Sequence, residues 1–559
     1  MNVTVVFPPS LCLPNQCYYS LPVLTGALKQ AGHRPHGVDL NLHAAHRLLT
    51  DDRAERMLEL AEKAAGVAPD MARKVRDGEE CIQILRDPQR YYDQPTFRRA
   101  FWTVVDALAF YYQLDPVISP NRDRFVEDMR ANQQADAWTP LSDLYDEGLL
   151  DPVLEQDPEL IGISVAFPEQ AVEAIRLARK LKQRNPDIPV CFGGPLLSAH
   201  PERWFQSGLL LEYADFAVHG DGERSIVELA EALEGKRDLD DVRGLHYRDA
   251  RGQLRHPDDP PFLESMDEVP LPDYDSIDMD LFLTPEPVYP MMTARGCYWG
   301  RCTFCSLGWR ENYRASPESI LRRDVEQLVS LGARYVQVQD SSVPPHLART
   351  LARIIEESGH ELYWVGGMKF TEAFEDPEYC AQLARGGCRS LAFGFESASQ
   401  EVLDRMDKGV RFDSIEPILN NLRGQGISAE LFWFIGFPTE TRTECLDTVR
   451  WLAAHDDLYG LPAFVGDYQL HPDTIIFKDP KEFGLTIHGN DNGYYSYTPA
   501  AGITQAELGQ LKRMLAHTNN RTLVCNGSHV LHVATSGVDL SNVRRPMTIP
   551  AGVVEACDA

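Results

Sequence analysis

The chain has 559 residues, 43% of them apolar and 25% charged, with 39 Gly and 38 Pro; this balance is that of a folded protein of roughly three to five domains and excludes a small disulfide-stapled, collagenous or disordered chain. Its 54 basic and 83 acidic residues leave a formal charge of −29, a field that opposes duplex nucleic acid and anionic lipid. No run approaches the roughly eighteen apolar residues of a membrane span, and MNVTVVFPPSLC lacks a basic region and a long apolar one, so a cytoplasmic location and reduced thiols are expected.

VTVVF at 3–7 reads as a strand ending at Pro8 and Pro9, followed by a helix over 20–31 that Gly32 stops. From 46 to 150 the pattern is helical, as in FRRAFWTVVDALAFYY at 97–112, and is expected to form an insertion. Strand character returns at LIGISVAF (160–167), then a helix over 173–184, a strand in PVCFGG (189–194), another in ADFAVHGDGE (214–223) and a helix over 225–233. This alternation predicts a doubly wound, Rossmann-like α/β domain over 1–257 with a parallel sheet. Such a sheet binds ligands at the carboxyl ends of its strands. Here those ends are the loop 8–15 with Pro9, the loop 164–170 with Ser164, Phe167 and Gln170, the pair Gly193 and Gly194, and the segment with Gly220, Gly222 and Glu223. The glycines are expected to let backbone amides approach a large ligand.

A Pro- and Asp-rich stretch begins at 258, and residues 258–284 read as an extended linker. Over 285–457 the alternation resumes: YPMMTARG, a helix near 317–330, YVQVQD (335–340), a helix near 346–358, LYWVGG (362–367), a helix near 376–385, SLAFGFE (390–396), a helix near 413–424, AELFWFIG (429–436) and a helix near 440–454. Successive βα units without a reversal predict a partial (β/α)6 TIM barrel whose active site lies at the carboxyl ends of its strands. Residues 458–559, with a helix over 504–516, are expected to form a small α+β region that caps the site or meets substrate.

Of the twelve cysteines, nine are scattered; Cys297, Cys302 and Cys305 share the loop RGCYWGRCTFCSLGW, directly after the first strand of the barrel. Three thiolates on one loop can ligate one metal centre. Zinc would require a distant fourth ligand such as His346, whereas a four-iron cluster held by three thiolates leaves one iron open for a substrate or cosubstrate. Among weaker signals, Cys380 and Cys388 read as core cysteines or an auxiliary pair. The run Tyr494 to Tyr497 with His471 and His488 reads as a packed loop or a pocket wall, and Arg310, Arg314, Arg322 and Arg323 as a solvated face or an anion site.

The cysteine loop, with QDSSVPP at 339–345, GMKF at 367–370, FGFESASQEVLDRMDKG at 393–409 and FWFIGFPTET at 432–441 in the same order, resembles the radical S-adenosylmethionine enzymes, specifically those with an N-terminal cobalamin-binding domain. Their usual motif has three residues between the first two cysteines, where this chain has four. The resemblance implies a 4Fe-4S cluster on Cys297, Cys302 and Cys305 whose open iron chelates S-adenosylmethionine. It also implies that Phe304 lies beside the adenine, that Glu396 and Lys369 hold polar parts of the cosubstrate, and that Phe434, Ile435 and Gly436 line the adenine. For Glu396 the alternative is a solvated strand end, and for Phe434 and Ile435 plain strand core.

Segment 160–233 is similar to the cobalamin-binding half of the same subgroup, which makes the strand-end residues at 9, 164–170, 193–194 and 220–223 its cofactor contacts; enlarging Gly194 is then expected to weaken cobalamin binding. No Asp-x-His-x-x-Gly occurs, so cobalamin would be bound base-off without a histidine on cobalt. The implied reaction is C-methylation of an unactivated carbon. LNLHAA, LPLPDYD and MDKG are similar to enzymes that mature peptides, which points to a small peptide or other secondary metabolite, with a flavodoxin- or ferredoxin-type electron donor and with neither nucleic acid nor membrane as partner. The alternatives are non-methylating radical chemistry (cyclisation, rearrangement or oxidation), with or without cobalamin, and a noncatalytic zinc-stabilised binding module.

Overall fold

A computed structural model describes residues 1–10, 13–64, 67–114, 125–134, 138–199, 201–256, 263–305, 313–472, 474–491, 494–515, 527–536, 540 and 543–544. They fall into two compact units, residues 1–91 with 99–287, and residues 92–98 with 288–559. Among them no helix is long and apolar enough to cross a membrane.

The first unit is built on a seven-stranded sheet: β1 (Asn2–Phe7), β2 (Arg34–Asp39), β3 (Leu160–Ser164), β4 (Val190–Gly193), β5 (Phe216–Val218), β6 (Leu245–Arg248) and β7 (Leu254–Arg255), in the order β2-β1-β3-β4-β5-β6-β7. β1 to β5 pair in parallel, and β6 and β7 add an antiparallel edge. The predicted sheet was wholly parallel and lacked β2. RPHGVD carries Pro, His and Gly and no apolar alternation; pairing along all of β1, from Asn2 with Arg34 to Phe7 with Asp39, makes it a strand. The order 2-1-3-4-5 puts the topological switch between β1 and β3, so the crevice opens outside Phe7 and Ser164.

The insertion is helical, as its periodicity predicts, with helices Asp51–Ala64, Pro69–Arg76, Gly78–Arg86 and Gln94–Gln113. The described part of the expected linker is not a free tether. Asp273 N–H donates to the Pro22 carbonyl (2.7 Å), Gly37 N–H to the Ser276 carbonyl (2.8 Å) and Leu283 N–H to the Pro14 carbonyl (3.1 Å). Gly26 admits this strap because a Cβ there would stand 2.1 Å from the Leu271 carbonyl oxygen. Val269, Tyr274, Ile277 and Phe282 are buried along it, so the apolar residues among its prolines anchor it to the first unit.

In the second unit, β8 (Val288–Met291), β11 (Tyr335–Val338), β12 (Tyr363–Met368), β13 (Cys388–Glu396), β14 (Ser428–Ile435) and β15 (Leu461–Asp467) form a parallel sheet in the order β15-β14-β13-β12-β11-β8. β9 (Ala294–Arg295) and β10 (Arg314–Ala315) make a short antiparallel pair, and β16 (Leu485–Asp491) pairs antiparallel with β17 (Tyr494–Pro499). The sixth barrel strand thus lies beyond the expected limit at 457. Alternation in β13 separates two faces: Leu391, Phe393 and Phe395 are wholly buried toward the helices, with Phe395 stacked on Trp451, while Ala392 and Gly394 are only half-buried on the other face. Leu531 of the helix Gly527–Thr535 packs with Val288 and Tyr335, the first residues of β8 and β11, and with Val365. That helix occupies the amino ends and leaves the carboxyl ends to the site.

Candidate functional site

The cysteine loop leaves β9 and returns at β10. Asp340, just past β11, fixes its root: one carboxylate oxygen accepts from Thr293 N–H (2.7 Å) and the other from the Thr293 hydroxyl, and burial pushes this carboxyl up to about 6. Cys297, Cys302 and Cys305 are half-buried thiols. Burial pushes the Cys302 thiol up to about 11, Lys408 opposes the rise, and Cys305, Glu396 and Cys297 add to it, so the three thiols share one neighbourhood. Among the described residues no three His, Cys, Asp or Glu are gathered as a ready metal-ion site. The donors suit an iron–sulfur cluster in their chemistry: three thiols on one loop, with the ammonium groups of Lys369 and Lys408 in their electrostatic field. Arg310 lies outside the described residues.

A turn about a hundred residues away clamps this loop. Thr303 donates its N–H to the Met406 carbonyl (2.9 Å) and its hydroxyl to the Arg405 carbonyl (3.0 Å), and the Trp299 indole N–H donates to the Asp407 carbonyl (2.7 Å). Arg301 pairs with the Asp407 carboxylate at 3.0 Å. Gly409, at φ +58°, lies so close that a Cβ would stand 2.3 Å from the Trp299 ring. Trp299 belongs to the four-residue spacer between Cys297 and Cys302, so the longer spacer comes with its own anchor.

Lys369, at the end of β12, donates to the Gly409 carbonyl (2.8 Å) and stands 4.1 Å from the centre of the Trp299 ring; burial, then repulsion from Lys408, lowers it to about 8. Glu396 ends β13 in a left-handed conformation, φ +63°, and accepts from Lys408 Nζ at 2.6 Å. Phe304 packs against Phe434 (5.3 Å between ring centres) and Phe437 (6.4 Å). Gly436, φ +79°, has its N–H held by Glu440 Oε2 at 2.6 Å. The structure thus gathers Cys297, Cys302, Cys305, Phe304, Lys369, Glu396, Phe434 and Gly436. Ile435 is wholly buried in the strand core. Trp299, Asp407, Lys408 and Gly409 had been given no role from the sequence, although MDKG was visible as a motif.

At the crevice of the first unit, Phe167 is 44% exposed and packs edge-on against Tyr18 (5.4 Å) and Phe7 (6.3 Å), an apolar platform at the switch between β1 and β3. A Cβ on Gly193 would meet nothing nearer than 3.9 Å, so this strand end opens into space, and Gly220 has φ +107°. An exposed aromatic platform beside an uncovered glycine fits a large planar ligand such as cobalamin.

Two of the expected contacts have roles in the fold. Gly194, at φ +112°, would place a Cβ 2.4 Å from the Val165 carbonyl oxygen, so the meeting of strand-end backbones by itself requires glycine there. Gln170 is wholly buried: its Oε1 accepts from Ala166 N–H (2.8 Å) and Phe167 N–H (3.0 Å), and its Nε2 donates to the Pro8 carbonyl (2.8 Å). It shapes the loop that carries Pro9 and Phe167. Ser164 donates to the Ser20 hydroxyl at 2.9 Å, and Glu223 is buried at the start of the helix Glu223–Leu233.

The weaker signals resolve into structure. Cys380 and Cys388 are wholly buried, and Cys388 begins β13 at the amino end. Arg322 pairs with Glu318 and Glu357, and Arg323 with Asp324. Tyr497 joins Tyr468, Phe434 and Phe437 in an aromatic core, while His488 meets the Thr498 hydroxyl at 2.7 Å on the hairpin β16–β17.

The family profile of the radical SAM superfamily matches residues 291–452, and that of the B12 binding domain matches 126–230. An uncharacterized methyltransferase of Pyrococcus horikoshii, PH0819, is 26% identical over 366 residues, spanning 64% of this chain and 77% of the relative. The radical S-adenosylmethionine methyltransferase TsrM of Kitasatospora setae, solved with tryptophan and aza-SAM, covers 92% of this chain and 83% of its own at 20% identity and TM-score 0.52. The cobalamin-dependent S-adenosylmethionine radical enzyme OxsB, solved with aqua-cobalamin, covers 92% of this chain and 66% of its own at 14% identity and TM-score 0.57. These two structures share the fold described above.

Proposed function

The chain belongs to the radical SAM superfamily and carries a B12 binding domain ahead of its radical SAM domain, and on that premise we propose that it is a cobalamin-dependent methyltransferase acting on an unactivated carbon of a peptide or other secondary metabolite. When bound, the 4Fe-4S cluster supplies the electron that splits S-adenosylmethionine, and base-off cobalamin carries the methyl group. The observation that carries the reading is the convergence, at the carboxyl ends of β8, β12, β13 and β14, of three half-buried thiols, the buried pair Lys408–Glu396 and the pair Phe304–Phe434.

Cys297, Cys302 and Cys305 would hold the cluster and leave one iron to the amino and carboxylate groups of S-adenosylmethionine. Glu396 offers a carboxylate to a cationic or hydroxylated part of that molecule, Phe304 and Phe434 flank its base, and the Asp340–Thr293 contact keeps the loop root fixed. In the first unit, Phe167, Gly193 and Gly220 form the face for cobalamin. A flavodoxin- or ferredoxin-type protein is the proposed electron donor. The aromatic core around Phe434, Phe437, Tyr468 and Tyr497 gives the β14 side an apolar wall.

The test is anaerobic purification from a cobalamin-supplied host, with iron, sulfide, zinc and cobalamin quantified in one sample, then reduction with methyl-labelled S-adenosylmethionine and candidate peptides. Four irons, one cobalamin, 5'-deoxyadenosine and labelled product support the proposal. The nucleoside without label transfer would redirect it to non-methylating radical chemistry, and one zinc without iron would overturn it. Cys297→Ala, Cys302→Ala and Cys305→Ala should each lose the cluster and the nucleoside; full cleavage in all three would remove the ligand assignment.

A further inference from the structure

We propose that Lys408 is a positioning residue with two tasks: it holds the Glu396 carboxylate in place for S-adenosylmethionine, and it sets a fixed positive charge beside the cluster thiols. The inference rests on the cluster assignment above and gives a role to a residue outside the ligand set.

Both partners are almost wholly out of water, Lys408 at 9% and Glu396 at 8% exposure, with Nζ and Oε1 2.6 Å apart. Burying an ammonium is unfavourable unless a carboxylate meets it closely, and each partner would be left uncompensated without the other. The backbone around the pair is bent to bring it together. Asp407 has φ +46° and Glu396 φ +63°, left-handed conformations that side chains adopt only when the surroundings hold them there, and Gly409 on the far side of Lys408 has φ +58°. Gly394 completes the enclosure, since a Cβ there would stand 2.4 Å from both Glu396 Oε1 and Lys408 Nζ.

Neutralising Glu396 does not exhaust the positive charge. Lys408 also lies in the field of Cys302 and Cys305, stands 5.8 Å from the Phe304 ring, and has a second buried ammonium, Lys369, as a neighbour. Two lysines against one glutamate leave one positive charge over, facing the thiols. A fixed cation there favours the more negative, reduced state of a cluster.

The experiment reconstitutes wild type, Lys408→Met, Lys408→Arg, Glu396→Gln and the double variant Glu396→Gln/Lys408→Met with iron and sulfide under nitrogen. It measures the cluster midpoint potential by EPR-monitored titration and S-adenosylmethionine binding by equilibrium dialysis. Lys408→Met should shift the midpoint to more negative potential and weaken binding by about tenfold or more, while Lys408→Arg, which keeps the charge, should stay within about threefold of wild type in binding. Should Lys408→Met fail to assemble because Glu396 is left bare, the double variant removes that orphaned charge, and its midpoint should lie below that of Glu396→Gln alone. An unchanged midpoint and affinity in Lys408→Met, or a double variant that matches Glu396→Gln or still holds no cluster, overturns the proposal. Wild type without a cluster overturns the functional reading as well; wild type that is loaded and binds while Lys408→Met is indifferent overturns this inference alone.

Discussion

Gly193 and Gly194 are adjacent in the chain and opposite in requirement. Gly194 has a positive φ and the Val165 backbone against it, so Gly194→Ala should lower the stability of the first unit by roughly 1–3 kcal/mol with or without cobalamin. Gly193→Val points into open space and should leave the melting temperature unchanged while reducing cobalamin content. Thermal denaturation and cobalamin assay of both variants check this, and the reverse pattern would exchange the two roles. Gly409 is the counterpart in the second unit. Gly409→Ala drives a methyl group into Trp299 and should cut iron incorporation, whereas Gly424→Ala, with nothing within 4 Å of the new Cβ, should retain it. In sequence all four are simply glycines; what a Cβ at Gly193, Gly194 or Gly409 would meet belongs to residues far along the chain, and at Gly424 it would meet nothing within 4 Å.

At the scale of elements, the carboxyl groups buried in the barrel strands and their connections include Asp340, Glu430 and Glu440. Asp340 follows β11; Glu430 lies within β14 beside Ser390 (2.9 Å) and Ser428 (2.6 Å); Glu440 closes the turn after β14. Burial pushes them to about 6, about 7 and about 8. A carboxyl whose folded pKa is raised binds its proton more tightly in the folded state, so its contribution is complete below about pH 4 and is lost as pH rises through the folded pKa. Between about pH 7 and pH 8, above the range in which buried histidines such as His246 and His529 titrate in the unfolded chain, stability of the metal-free protein should therefore fall. Each group contributes a slope of up to about 1.4 kcal/mol per pH unit, and Glu440→Gln should flatten the upper end. Urea titrations at several pH values would reveal a rising profile if these carboxyls are in fact ionised in the fold. The helix after this turn was legible locally: TRTE at 441–444 forms a capping box, Thr441 accepting from Glu444 N–H at 3.2 Å and Glu444 from Thr441 N–H at 2.8 Å.

Across the whole molecule the cysteines sort by burial. Cys17, Cys81, Cys191, Cys380, Cys388 and Cys445 are buried and Cys297, Cys302 and Cys305 half-buried, while Cys12, Cys525 and Cys557 lie outside the described residues. Burial hides a thiol from the reagent, and this rather than thiolate suppression separates the two groups, since Cys81 and the loop thiol Cys302 are both pushed up to about 11. Brief alkylation of the native metal-free protein, followed by peptide mapping, should mark the three loop cysteines and spare the six buried ones until denaturant is added. Cluster-loaded protein should protect the three as well. Early labelling of Cys380 or Cys388 would contradict the packed core in which the structure places them.

By itself the sequence determined the alternation of strands and helices, the thiol loop after the first barrel strand, and most of the residues that surround it, because periodicity and ligand spacing are properties of neighbouring residues. Tertiary structure decided the rest. β2 is a strand only because β1 offers it a ladder, and that pairing places the switch point between β1 and β3. Val269, Tyr274 and Phe282 turn an apparent linker into a strap because their apolar surface is buried on the first unit. Trp299 meets Asp407 across 108 residues, and Lys408 reaches Glu396 only through a left-handed turn at Asp407 and the missing side chain of Gly394. Such contacts depend on distances between separate elements, which no local pattern encodes.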